Sequence, residues 1–314
     1  MRRAGRGERE VDLRMSDCAY REQALTFEAG DARLVGIVTT PASEEQSKLG
    51  VLIVVGGPQY RVGSHRQFVL LARALAARGL PVMRFDCSGM GDSTGAPLPF
   101  TERDHDIAAA IDAFIVTVPE VGQIAIWGLC DAASAALFYA PQDARVTGLV
   151  LLNPWVRSDA GLARTHLKHY YSARLIDRQF WRNLFRGKVG IGRALRGLGS
   201  TLMQARRGSN AIARELPYQA RMARDWKRFD GDILLICSGD DLTAREFIDH
   251  CASDAEWQGV VDQVRVARCD FDEADHTFSR ADWRDQVATW TADWLIDRAH
   301  ARHDVRTPAT RELA

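Results

Sequence analysis

Apolar residues in this chain fall into short unbroken runs, separated by longer stretches with helical spacing. Leu34-Val35-Gly36-Ile37-Val38-Thr39 reads as an early strand and Val51-Leu52-Ile53-Val54-Val55 as a fully buried one. Pro81 to Asp86, Gln123 to Trp127, Gly148 to Leu152, Ile233 to Cys237 and Val264 to Ala267 repeat the pattern. Runs that are apolar throughout, instead of alternating, predict strands covered on both faces of a sheet. Between them, Gln67 to Arg78 places apolar residues at 68, 71, 75 and 76 and ends at Gly79, a residue suited to a helix C-terminus. Arg103 to Val116 and Ala132 to Tyr139 read as further helices. Strands alternating with helices predict an open, mostly parallel α/β sheet with right-handed crossovers and helices on both faces.

The rhythm stops after Asn153-Pro154-Trp155 and resumes at Ile233. The intervening stretch is rich in Arg, Tyr, Trp and helix formers and has no strand-like run. It predicts a helical cap insertion over 155–228, set between core segments 25–154 and 229–298. A surface excursion with no part in the chemistry is the plainer alternative. The polar termini, 1–24 and 299–314, are expected to be partly disordered.

Composition narrows the class of protein. The 41 Lys and Arg balance 41 Asp and Glu over 314 residues, which argues against a dedicated nucleic-acid binder. No apolar run approaches the roughly 18 residues of a membrane span, so no transmembrane segment is expected. The basic start, Met1 to Glu10, has no apolar stretch behind it and does not read as a secretory signal. Six cysteines, at 18, 87, 130, 237, 251 and 269, include no Cys-x-x-Cys pair. Reduced thiols and a cytoplasmic protein are therefore expected. No Cys/His cluster has ligand spacing, so neither a metal nor another cofactor is expected.

The chemistry-bearing signals lie at strand ends. Ile124-Ala125-Ile126-Trp127-Gly128-Leu129-Cys130-Asp131-Ala132 carries a buried strand into a helix through Gly-x-Cys-x-Ala. Small residues two before and two after the cysteine suit the tight strand-to-helix turn of a nucleophile elbow. A helix N-terminus behind Cys130 favours thiolate. A buried structural cysteine is the bland alternative. Further along, the run Ile233 to Cys237 ends in Ser238-Gly239-Asp240-Asp241-Leu242-Thr243, and His276 follows the strand-like run at 264–269. Nucleophile, acid and histidine thus occur in the chain order expected of such a sheet. Asp240 and Asp241 compete for the acid role, and Asp241 is preferred. An oxyanion hole needs two converging N–H groups. Asp131 is the expected first donor. Gln59, in Gly56-Gly57-Pro58-Gln59-Tyr60, is the expected second, with Gly57 as the fallback because Pro58 has no N–H. Asp86-Cys87-Ser88-Gly89-Met90-Gly91-Asp92-Ser93-Thr94-Gly95 fits a structural loop beside the site. It lacks the Gly-Lys-Ser/Thr of a phosphate loop.

With these motifs the chain resembles the α/β-hydrolase superfamily from about residue 25 to 298. Gly56-Gly57-Pro58-Gln59-Tyr60-Arg61-Val62-Gly63-Ser64-His65-Arg66-Gln67-Phe68, Gly128 to Ala132 and Ser238 to Phe247 resemble, more narrowly, the exosortase A system-associated hydrolases of the first type. That resemblance implies a hydrolase with a cysteine elbow, in a bacterial exopolysaccharide and protein-sorting setting, with Asp241 in the acid position. The elbow is also similar to that of dienelactone hydrolases, in which the same fold works with Cys-His-Asp. The expectation is an ester or thioester hydrolase acting through Cys130, His276 and Asp241 on a small-molecule or glycan-linked acyl substrate. Tyr60, Met90, Trp155 and Tyr171 are the candidate substrate contacts. The aromatics Tyr170, Tyr171, Phe180, Trp181 and Phe185 suit either a substrate pocket or the core of the cap. An acyltransferase using the same three residues, and a non-catalytic binding member of the exopolysaccharide machinery, stay open beside it.

Overall fold

A computed structural model describes residues 19–43, 46–57, 59–157 and 218–306, with side chains up to 299. The body of the expected cap, including Tyr170, Tyr171, Phe180, Trp181 and Phe185, lies outside the described residues, as do Cys18 and Pro58.

Eight strands form one sheet in the order β1-β2-β4-β3-β5-β6-β7-β8. They are β1 Tyr20–Ala29, β2 Ala32–Pro41, β3 Leu49–Val54, β4 Val82–Phe85, β5 Gln123–Leu129, β6 Val146–Leu152, β7 Asp232–Asp240 and β8 Val266–Asp275. β2 runs antiparallel to both β1 and β4, and every other pairing is parallel. β3 is buried at every position because both of its faces are covered. Val51, Ile53 and Val55 point to one face; Leu52 and Val54 point to the other. On the first face lie α1 (Gln67–Ala76) and, through Val287, Ala292, Trp294 and Leu295, the long terminal helix α6 (Ala281–Arg306). The second face carries α2 (Asp104–Thr117), α3 (Asp131–Tyr139), α4 (Tyr218–Arg228) and α5 (Leu242–Ser253).

Three expectations move. β1 starts at Tyr20, ahead of the boundary at 25, and pairs with the foreseen β2 along its whole length. Its charged positions obscure it in the sequence: only Tyr20, Leu25, Phe27 and Ala29 are partly buried. The last strand runs from Val266 to Asp275, not from 264, and Val264 is fully exposed. The core resumes at Tyr218 and not at 229. In α4, Met222, Ala223 and Trp226 are fully buried, and Trp226 packs against Phe247 and Trp257. α4 is therefore part of the helix layer on the sheet.

Candidate active site

The chain turns from β5 into α3 through a single residue, Cys130, with φ 63° and ψ −125°. A non-glycine residue at positive φ costs about 1–3 kcal/mol and persists only where its surroundings hold it. Here the Cys130 N–H donates to the Leu152 carbonyl at 2.9 Å, and the Cys130 carbonyl accepts from Ala133 at 3.1 Å and Trp155 at 3.3 Å. The turn is so tight that a Cβ at Gly128 would lie 2.7 Å from the Ala132 backbone, which is why glycine stands there. The elbow leaves the Cys130 side chain half-buried at the carboxyl ends of the strands.

Asp241 caps α5. Its carboxylate accepts from the Thr243 and Ala244 N–H groups, each at 3.1 Å, and lies 2.8 Å from His276 Nδ1. Burial raises its pKa, but the His276 contact and the two backbone donors outweigh this and hold it below the ordinary carboxylate value. Asp240 is exposed at the end of β7, paired in register with Asp275. Of the two competing carboxylates, only Asp241 meets the histidine.

His276 sits directly after β8, in a loop organised by Asp275. That carboxylate accepts from the Thr277 and Ser279 N–H groups at 3.1 and 3.0 Å and from the Ser279 hydroxyl. Burial lowers the His276 pKa, yet hydrogen bonds to Asp241 and to the Cys130 side chain raise it to about 10. The geometry thus favours imidazolium between a carboxylate and a sulfur. Sequence reasoning missed Asn153, which directly follows β6 and is fully buried at φ 45°. Its side chain accepts from Ser238 N–H at 2.8 Å and donates to Ser238 Oγ at 2.9 Å and to the His276 carbonyl at 3.2 Å. An asparagine closing a buried strand was the available signal, since Asn tolerates left-handed backbone.

The oxyanion loop differs from expectation. The Gln59 N–H donates to the Gly56 carbonyl at 3.4 Å, and the fallback Gly57 N–H donates to Asp131 Oδ2 at 3.0 Å. Neither faces open space. Asp131 opens α3, where the first N–H groups have no intrahelical partner, so it remains suited to donate. Its carboxylate fills the space above Gly56, where a Cβ would collide with Oδ1. Buried Arg103 backs this arrangement, donating to the Val55 carbonyl at 2.8 Å with its other nitrogen 3.6 Å from Asp131.

The remaining candidates spread around the elbow. Tyr60 is 46% exposed, Met90 is half-buried against both core clusters, and the Trp155 ring is half-buried under the Arg157 guanidinium at 4.5 Å. The Asp86–Gly95 loop is structural, as expected. Fully buried Asp86 accepts from the Asp92 N–H at 2.9 Å and the Arg61 N–H at 2.6 Å, and ion-pairs with the Arg61 side chain. Arg61 thereby ties the two loops beside the site together, a role its sequence position did not reveal. Among the described residues, no group of His, Cys, Asp or Glu is placed to hold a metal ion, and no helix is long and apolar enough to cross a membrane.

A mostly parallel sheet with a strained elbow after β5, and a carboxylate and histidine delivered after β7 and β8, defines the α/β-hydrolase class. The chain belongs to the alpha/beta hydrolase family, whose model matches residues 51–311. It is similar to an esterase of Pyrococcus furiosus, with TM-score 0.60 and 14% identity over 90% of this chain and 92% of that one. Likeness extends to a serine hydrolase without lid from Xanthomonas campestris (TM-score 0.53, 14% identity, 87% and 95% covered). A dienelactone hydrolase of Anabaena variabilis gives TM-score 0.55 at 14% identity, with 89% and 98% covered. At such identities these structures share the fold. An uncharacterised protein of Pseudomonas aeruginosa is 35% identical over 103 residues, 31% of this chain and 27% of that protein's length.

Proposed function

We propose that the protein hydrolyses a carboxylic ester or thioester, with Cys130 as nucleophile, His276 as proton carrier and Asp241 as the anchor of His276. The observation that carries this reading is His276, bonded through Nδ1 to buried Asp241 at 2.8 Å and raised in pKa by the Cys130 side chain as well as by Asp241. Attack is by the thiolate form of Cys130, with His276 carrying the proton as imidazolium. The thiolate sulfur bonds to the acyl carbon and the carbonyl π pair moves onto oxygen, beside the Asp131 N–H. As the tetrahedral species collapses, the bond to the leaving alkoxide or thiolate breaks and His276 gives that group its proton. Neutral His276 then takes a proton from water, and the hydroxide attacks the thioester. Cys130 leaves as thiolate, the acid product departs, and the imidazolium is restored. A second oxyanion donor at Gln59 requires that its N–H leave the Gly56 carbonyl as substrate binds.

The narrower proposal is a small-molecule or glycan-linked acyl substrate in a cytoplasmic enzyme of the exopolysaccharide and exosortase setting. It rests on the resemblance of the Gly56–Phe68, Gly128–Ala132 and Ser238–Phe247 stretches to that family. The test incubates the protein with a panel of activated esters and acyl thioesters, followed by intact mass and peptide mapping. The expected result is an acyl adduct on Cys130 and turnover abolished by Cys130→Ala. Turnover that survives this substitution refutes the nucleophile assignment, and an adduct discharged only by an added hydroxyl acceptor identifies an acyltransferase.

A further inference from the structure

Asp131 is the first residue of α3, and an acidic side chain there suits the helix N-terminus. Its carboxylate does not stay on its own helix. Oδ2 accepts from the Gly57 N–H at 3.0 Å, across 74 positions of chain. Oδ1 is buried against Gly56, where a Cβ would collide with it and lie 2.9 Å from the Ala132 nitrogen. The side chain thus fills the seam between the loop that leaves β3 and the turn that carries Cys130. Behind the seam stands buried Arg103. Its Nη1 donates to the carbonyl of Val55, directly after β3, at 2.8 Å, and its Nη2 lies 3.6 Å from Asp131 Oδ2. The loop is therefore held at two nearby points, Val55 by Arg103 and Gly57 by Asp131.

This seam joins the two backbone segments from which the oxyanion hole is drawn, the start of α3 and the loop after β3. One side chain fixes the spacing between them. The Gly57 N–H is engaged at 3.0 Å, whereas the Gln59 N–H reaches the Gly56 carbonyl at the longer distance of 3.4 Å. Gly57 is thus the fixed point of the loop, and Gln59 is the donor with less to give up when it turns toward substrate. A carboxylate in this place carries a cost. It stands one residue from the nucleophile, beside the oxygen that turns negative during attack, and charges inside a protein are weakly screened. Arg103 offsets that charge. We propose that the Asp131 side chain is a positioning residue of the oxyanion hole, tying Gly57 to α3, and that Arg103 is the counter-charge that lets a carboxylate stand there. The effect on rate rests on the hydrolase reading; the effect on the loop does not.

The test compares the full chain with Asp131→Ala, Asp131→Asn, Arg103→Met and the double variant Arg103→Met with Asp131→Asn. The measurements are hydrogen–deuterium exchange by mass spectrometry and steady-state kinetics on p-nitrophenyl acetate. In Asp131→Ala, one amide of the peptide over 56–61 should exchange roughly ten-fold faster. Its kcat should fall roughly 100-fold, with KM within about two-fold of the parent. Asp131→Asn keeps an oxygen that accepts from Gly57, so it should exchange like the parent and stay within about five-fold in kcat. Arg103→Met should lower kcat roughly ten-fold, and the double variant should recover most of that loss. Parent-like exchange in Asp131→Ala overturns the tie. Faster exchange with kcat unchanged overturns its part in the reaction. Equal losses of kcat in Asp131→Ala and Asp131→Asn also overturn it, and leave the carboxylate as a partner of the helix N-terminus alone. A double variant no better than Arg103→Met overturns the counter-charge. Exchange needs no turnover: a parent that hydrolyses no ester defeats the hydrolase reading, while the tie is still decided by exchange.

Discussion

Replacing Asn153 with alanine removes the cross-tie between β6, β7 and the histidine loop. Three hydrogen bonds are lost: from Ser238 N–H, to Ser238 Oγ and to the His276 carbonyl. Each contributes about 1 kcal/mol net, and more where the abandoned partner stays buried. Ser238 is only 3% exposed, so its N–H gains little from water. Alanine also tolerates the φ of 45° less well than asparagine, by about 1 kcal/mol. The sum is about 4 kcal/mol, which lowers the melting temperature of a chain this size by roughly 6 °C. Asn153→Gly keeps the backbone freedom and should recover about 1 kcal/mol of that loss. Without the bond to its carbonyl, His276 drifts, and a displacement of about 1 Å lowers kcat about 100-fold. KM should change little, because Asn153 is fully buried away from substrate. Scanning fluorimetry and steady-state kinetics on both variants read the two effects. A melting temperature for Asn153→Ala within about 2 °C of the parent, with kcat intact, refutes the claim that this network holds the site.

Asp241→Asn should lower turnover by roughly four orders of magnitude, by analogy with loss of the acid in other triads, while exposed Asp240→Asn changes it little; equal losses in ester assays contradict the assignment. The raised His276 pKa gives a stability contribution that is fully present below about pH 6.5 and lost as pH rises through about 10. Asp241, with its lowered value, contributes above its unfolded pKa and loses that contribution as pH falls through the folded one. Parent and Asp241→Asn should therefore differ most in urea stability near neutral pH and converge at both extremes; a constant gap from pH 3 to 11 argues against the pair. Burial pushes the Cys87 and Cys237 thiols up to about 12 and raises Cys251 and Cys269 as well. Iodoacetamide at neutral pH should then label Cys130 ahead of these four, and peptide maps in which it labels last count against it as nucleophile.

The central strands were legible because burial on two faces selects unbroken apolar runs, as in Val51 to Val54. β1 was not, since at an edge its burial is partial and its charges have distant partners: Glu22 pairs with Arg73 and Arg84. Cys130, the Asp240–Asp241 pair and His276 stood out as candidates from chain order and local turn chemistry, with Asp241 preferred. Asn153, Arg61 and Arg103 were not, because each acts on residues far along the chain. Arg61 grips Asp86, Arg103 lies beside Asp131, and Asn153 reaches Ser238 and His276.

By itself the sequence determined the central strands, the helices between them and the elbow, because strand burial, helix spacing and the Gly-x-Cys-x-Ala turn are written in neighbouring residues. It also narrowed the acid to two adjacent aspartates. Choosing between them took the tertiary structure, since the end of β7 directs one carboxylate outward and turns the next into the cap of α5, against His276. Tertiary structure likewise drew the Gly57 N–H group to the Asp131 carboxylate. Hydrogen bonds between separate loops depend on how the sheet brings those loops together, and no local pattern encodes that.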